Sequence, residues 1–137
     1  MVHALEKTHR LLKPGGVLME SHFTGEPFSL EVHHQGEIKH AGPTHRADDF
    51  ETFKQAKAAL DQAVKDGLFS PVAERVFDYL VYADSLGALR EWFDEPSSQL
   101  IIDDRVAREV NELVLGTGSA AKVVLRRRVR VGTLKRV

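Results

Sequence analysis

The sequence predicts an α/β fold in a single domain, residues 1–137, and three observations carry that expectation. An amphipathic helical pattern runs into Pro14-Gly15-Gly16 and then an apolar stretch, Val17-Leu18-Met19. Two long β-rich segments follow, Leu68 to Ala83 and Ala121 to Val137, and helix-spaced apolar residues precede each of them. No internal repeat, low-complexity tract or linker interrupts the chain.

A chain of 137 residues can bury roughly two-thirds of its unfolded surface, enough for one core. Its 19 Lys and Arg against 20 Asp and Glu, a formal charge of -1, argue against bulk attraction to nucleic acid or to a membrane surface. The absence of cysteine removes a disulfide framework, a thiolate nucleophile and a Cys-based zinc site, and fits a reducing compartment. Glu6, Lys7, His9 and Arg10 in the first helical pattern are unlike a secretory apolar region, and no apolar run approaches spanning length. The expectation is a soluble, cytoplasmic protein.

In the first element Ala4, Leu5, Thr8, Leu11 and Leu12 share a helical face. Pro14 disfavours helical geometry at Lys13, and the paired glycines let the chain turn. Val17-Leu18-Met19 then reads as a strand buried on both faces, ending near His22. Thr24-Gly25-Glu26-Pro27 is turn chemistry, and Phe28 to Ala41 suggests a hairpin. With Gln35-Gly36 as its two-residue turn, His34 faces Glu37, His33 faces Ile38, Val32 faces Lys39 and Glu31 faces His40. Gly42-Pro43 is expected to break the hairpin.

Asp48 or Asp49 can cap the next helix, whose apolar face is Phe53, Ala56, Leu60, Ala63 and Val64 and whose end is Gly67. Leu68 to Ala83 carries apolar residues on both parities near its end, which predicts a central strand frayed at its start. Asp84-Ser85 caps a short helix with Leu86, Leu89 and Phe93 spaced for burial before Pro96. A further helix begins near Asp103, with Val106, Val110, Leu113 and Val114 inward and Gly116 and Gly118 as terminators. Ala121 to Val137 closes the chain as a long strand.

The run Leu5-x-x-x-His9-Arg10-Leu11-Leu12-Lys13-Pro14-Gly15-Gly16-x-Leu18 resembles the helix-to-fifth-strand junction of class I methyltransferases that use S-adenosylmethionine. The rest of the chain is similar, more weakly, to the closing, substrate-side half of such an enzyme. The resemblance implies a partial Rossmann-like sheet of strands five, six and seven, the last antiparallel and between the other two, with the hairpin inserted at its rim. It implies methyl transfer from S-adenosylmethionine to an acceptor, helped by alignment more than by strong acid or base groups. The family's glycine-rich loop, its acidic ribose partner and its fourth-strand contacts would all precede residue 1. The chain is therefore expected to be truncated, to hold no cofactor-binding residues, and neither to bind S-adenosylmethionine alone nor to act alone. Gly116-Thr117-Gly118 follows a helix and opens a strand, the reverse of a nucleotide-binding loop, and reads as a helix stop.

His22, at the carboxyl end of the first strand, is the candidate catalytic residue: ligands of open α/β sheets sit there, and imidazole titrates near neutrality. The simpler reading is a polar residue at a strand end. On the hairpin, Glu31, His33 and His40 would project from one face as a two-histidine, one-carboxylate set able to bind a divalent metal, unless they are exposed hairpin residues. Arg126, Arg128 and Arg130 share a parity and form a stripe able to contact phosphates. No aromatics interleave with them, so solvated, edge-protecting arginines are favoured, with Asp94, Glu95, Asp103 and Asp104 as possible partners. Phe50, Phe53, Phe77, Tyr79, Trp92 and Phe93 sit at core-like spacings.

In the resembled fold Val17 to Ser21 pairs with the fourth strand. That edge is expected to be covered by a second copy, giving a dimer or other homo-oligomer, by a complementing N-terminal half, or by local rearrangement. Two other function classes stay open: a non-catalytic interaction or dimerisation module using this edge or the hairpin, and a small metal-binding protein built on the His-rich hairpin.

Overall fold

The computed structural model describes residues 1–117 and 120–137. Its elements are α1 (Val2–Leu11), β1 (Val17–Phe23), β2 (Ser29–His34), β3 (Glu37–Pro43), β4 (His45–Arg46), α2 (Glu51–Lys65), β5 (Phe69–Ala83), α3 (Leu86–Trp92), β6 (Leu100–Ile101), α4 (Asp104–Thr117) and β7 (Lys122–Arg136). The order matches the one expected from the sequence, with the two-residue strands β4 and β6 added. The chain is mixed α/β, with four helices among the described residues and antiparallel pairing in β1–β7, β2–β7, β2–β3 and β4–β6. Contacts divide it into two units: Met1–Gly25, Glu51–Phe77 and Arg128–Val137 form the first, Glu26–Phe50 and Asp78–Arg127 the second. Both β5 and β7 give residues to each.

In the first unit the bond from Gly16 N–H to the Lys13 carbonyl, 2.8 Å, closes the turn that the Pro-Gly-Gly run prescribes. β1 then pairs with β7 from Val17 opposite Lys135 to Phe23 opposite Val129. β5 pairs with β7 as well, so β7 lies between β1 and β5. Leu5, Leu60, Ala63, Phe69 and Leu134 form the core, with Leu12 and Leu18 packed against it. Phe69 is the most buried of these, and truncating such a ring typically costs about 3–5 kcal/mol. The inward stripe of α1 runs through Leu5, Leu12 and His9, whose ring meets Phe69 edge-on at 5.5 Å, while Leu11 points to solvent.

Two expectations fail here. β1 is covered on one face, not two: Leu18 is half-buried, whereas Val17 and Met19 are 53% and 71% exposed. A strand needs a layer on each face to be buried twice, and within this unit α2 packs against both α1 and β1. Nor is β5 a buried central strand. It starts with the buried Phe69 rather than fraying, pairs with β7, and exposes Val72, Val76 and Phe77.

In the second unit the hairpin has the expected register, His34 opposite Glu37 through Glu31 opposite His40. Gln35 and Gly36 take φ of 50° and 78°, the left-handed pair that a type I′ turn requires. An irregularity between Leu30 and Glu31 carries β3 on to Pro43 instead of ending it at Gly42. The outer edge of β2 pairs with β7 from Ser29 opposite Arg126 to His33 opposite Lys122. α4 packs on β2 and β3, and Val106 and Val110 are buried with Leu30, Val32, Val123 and Leu125. Ser85 caps α3 by accepting from Ala88 N–H at 3.0 Å. Gly116 lies inside α4 rather than ending it, and Gly118 lies outside the described residues.

Candidate functional site

The face of the β1–β7 pair that carries Leu18 and Leu134 also carries Glu20 and His22 on one strand, Gly132 and Arg130 on the other. His22 Nδ1 donates to Glu20 Oε2 at 2.7 Å, with the two side chains 9% and 12% exposed. A carboxylate only accepts, so a ring proton sits on Nδ1. Glu20 fits because its cross-strand neighbour is glycine: a Cβ at position 132 would overlap Glu20 Oε1.

Arg130 lies opposite His22. Its Nη2 donates to Glu74 Oε2 at 2.8 Å, and its Nη1 stands 3.6 Å from Glu20 Oε1. The hydrogen bond from Arg130 draws the Glu74 carboxyl below its ordinary range, and Glu74 in turn favours the charged guanidinium. His22 Nε2, Thr24 Oγ1 and the Nε and Nη1 of Arg130 are buried without a hydrogen-bond partner among the described residues. Glu20, Arg130 and Glu74 also line a cavity of about 370 Å³, whose other walls include Leu60, Asp61, Val64, Lys65, Pro71 and Leu134. The face brings together a carboxylate, an imidazole and a guanidinium, and the cavity beside Glu20 and Arg130 has an apolar wall.

The second unit assembles Glu31, His33 and His40, the candidate metal set. Glu31 is fully buried, His33 Nε2 lies 2.8 Å from its Oε1, and His40 Nδ1 lies 3.3 Å from its Oε2. Arg126 holds both carboxylate oxygens, donating from Nε to Oε2 at 2.7 Å and from Nη2 to Oε1 at 3.1 Å, and reaches Asp78 through Nη1 at 2.9 Å. Burial alone would raise the Glu31 carboxyl, but Arg126 and His33 outweigh it and hold it below its usual value. The guanidinium occupies the place a cation would take. Among the described residues no group of three or more His, Asp or Glu is arranged to hold a metal ion.

The arginine run is not the solvated edge expected from the sequence. β7 has partners on both sides, and the acids that meet Arg126 and Arg130 are Glu31, Asp78, Glu74 and Glu20, not Asp94, Glu95, Asp103 or Asp104. Arg127 stacks over Tyr79, Phe93 and Phe28 at 4.8, 5.6 and 5.9 Å, and burial pushes its pKa down. Sequence reasoning missed Glu74, Asp78 and Gly132, and singled out Arg130 only as one of an arginine stripe. A signal existed for two of the three: Glu74 and Asp78 are four apart on β5, as the arginines they meet, Arg130 and Arg126, are on β7.

Gly15-Gly16 joins a helix to a strand, and Gly25 leads from β1 into a hairpin. In the passage from β5 into α3, Lys122 holds the Asp84 carboxylate and lowers its pKa, while Ser85 is engaged as the helix cap. None of these is a glycine-rich loop that leaves a strand and opens a helix. Comparison with protein-family models, curated proteins and solved structures finds no match for the chain.

Proposed function

We propose that this chain is a methyltransferase-like protein, corresponding to the C-terminal, acceptor-side portion of a class I enzyme, with its cofactor half supplied by sequence outside these 137 residues. The observation that supports it most is the placing of β7 between β1 and β5, antiparallel to a β1 that directly follows the Leu12-Lys13-Pro14-Gly15-Gly16 junction. In this reading β1, β5 and β7 correspond to strands five, six and seven, and the Glu20–His22–Arg130 face beside the carboxyl end of β1 contacts the acceptor. The chain alone does not act.

Calorimetric titration with S-adenosylhomocysteine tests this, on the chain and on the chain extended by the residues encoded in frame upstream. The reading expects no binding by the chain, binding by the extended form, and a strand followed by a glycine-rich loop in the added segment. Binding by the chain alone, or none by the extended form, sinks it.

A second reading rests on the outer edge of β1, which pairs with β7 alone among the described residues. Such an edge is a docking strand for a second copy or for the complementing half. Light scattering that finds a strict monomer at high concentration argues against the second copy.

A further inference from the structure

We infer that the open face of the β1–β7–β5 sheet in the first unit docks an amphipathic segment of a partner protein, one that carries acidic side chains beside its apolar ones. The inference is independent of the methyltransferase reading, since it concerns the face turned away from Glu20 and His22.

Alternation along each strand decides what that face presents. Leu18 and Glu20 of β1 lie with Gly132 and Leu134 of β7 on the side where the core packs, so Val17, Met19 and Ser21 share the other side with Val131, Thr133 and Lys135. A cavity of about 310 Å³ extends this face onto β5, with Ala73, Arg75 and Phe77 on its walls beside Val131 and Thr133. Glu74 borders it too, but Arg130, on the core side of β7, holds its carboxylate. All these residues belong to one unit. Where one face of an antiparallel pair meets water it ordinarily carries polar side chains. Here Val17, Met19 and Phe77 stand exposed and Val131 half-buried, the composition of a face that another layer covers.

Charge says what kind of layer. Arg75 and Lys135 are the charged residues among those of this face, and neither has an ion pair among the described residues. Other cations of the unit are offset, Arg130 by Glu74 and Lys57 by Asp61. A second copy laid face to face brings no acid to either cation and sets like charges against each other. Two cations also fall short of the polybasic cluster that holds a protein on an anionic membrane. The recess between Phe77 and Val131 is shaped to receive an inserted side chain, and carboxylates flanking that side chain would meet Arg75 and Lys135.

The test uses the full chain and three probes: an amphipathic peptide with leucine on one face and glutamate on the other, the same peptide with lysine for glutamate, and vesicles containing phosphatidylserine. The chain has two methionines, so the methyl resonance of Met19 is followed with little overlap. The Leu–Glu peptide is expected to shift it saturably and to bind about tenfold more tightly than the Leu–Lys peptide at low salt, with the preference fading as salt rises. By calorimetry Arg75→Glu should remove that preference, and Met19→Gln should weaken the Leu–Glu peptide. Both side chains are exposed, so both variants should keep the urea midpoint of the parent. Equal binding of the two peptides overturns the proposal, as does the absence of a Met19 shift. A Met19 resonance that moves with protein concentration alone gives the face to a second copy, and one that moves only with vesicles gives it to a membrane; either result also overturns it.

Discussion

Replacing Arg126 with methionine isolates what holds the centre of the second unit together. The Glu31 carboxylate it leaves behind is fully buried and loses two charge-assisted bonds, at 2.7 and 3.1 Å, retaining His33 at 2.8 Å and His40 at 3.3 Å. Breaking a buried pair from one side costs about 3–5 kcal/mol, because the remaining charge is uncompensated. Set against a typical domain stability of about 5–15 kcal/mol, that is a loss of about a fifth at the least and of nearly all at the most. Urea unfolding followed by circular dichroism reads it directly. The penalty should shrink as pH falls, since burial raises the pKa of the bare carboxylate and protonation relieves it. Adding Glu31→Leu to the same variant should recover most of the loss, because two apolar residues of similar volume leave no buried charge. A cost below about 1 kcal/mol, the range of an exposed ion pair, would refute this account. So would a double variant as unstable as the single one.

Gly132→Ala places a methyl group where Glu20 Oε1 lies, so it should cost about 1–3 kcal/mol by overpacking and break the Glu20–His22 bond, visible as a change in the His22 ring-nitrogen resonances. Ser85→Ala removes the cap of α3 and should lower stability by about 1 kcal/mol in the same urea assay. Glu31 is held below the ordinary carboxyl value of 4.5, so the stability it contributes is present above that value and lost as pH falls through its folded-state pKa. Thermal midpoints recorded from neutral pH downwards should therefore drop on the acid side, and less so in the Glu31→Leu, Arg126→Met protein. Arg130→Met should destabilise less than Arg126→Met in the same urea assay, since Glu74 is half exposed and Glu20 keeps His22.

The parts of this structure that could be read from sequence are those fixed within a few residues. Gln35-Gly36 can close a hairpin tightly only with both residues at positive φ, and that one constraint set every pair from His34–Glu37 to Glu31–His40. Ser85 three residues before Ala88 specified a cap without reference to anything distant. Exposure was not legible in the same way. Val17, Leu18 and Met19 are equally apolar, and which of them is covered depends on the helices packed on β1, which lie elsewhere in the chain. The same applies to Glu20, whose neighbour His22 stands out in sequence while the glycine that makes room for it is more than a hundred residues away.

The arginines of β7 show why a charge run is a poor guide to the surface when it falls on a strand with neighbours on both sides. Three of its guanidiniums are offset in different surroundings: Arg126 by Glu31 and Asp78, Arg127 by three aromatic rings, Arg130 by Glu74 and, at 3.6 Å, Glu20. Arg126 and Arg130 share residue type, parity and strand, but they end differently. All three nitrogens of the Arg126 guanidinium donate to carboxylates at hydrogen-bonding distance, so its geometry is complete without a ligand. Arg130 donates from Nη2 to Glu74, its Nη1 stands 3.6 Å from Glu20 Oε1, and its Nε is buried without a hydrogen-bond partner among the described residues. Residue type and parity therefore do not say which of two arginines on one strand is fully offset; that is decided by the acids of β2 and β5 that happen to face it.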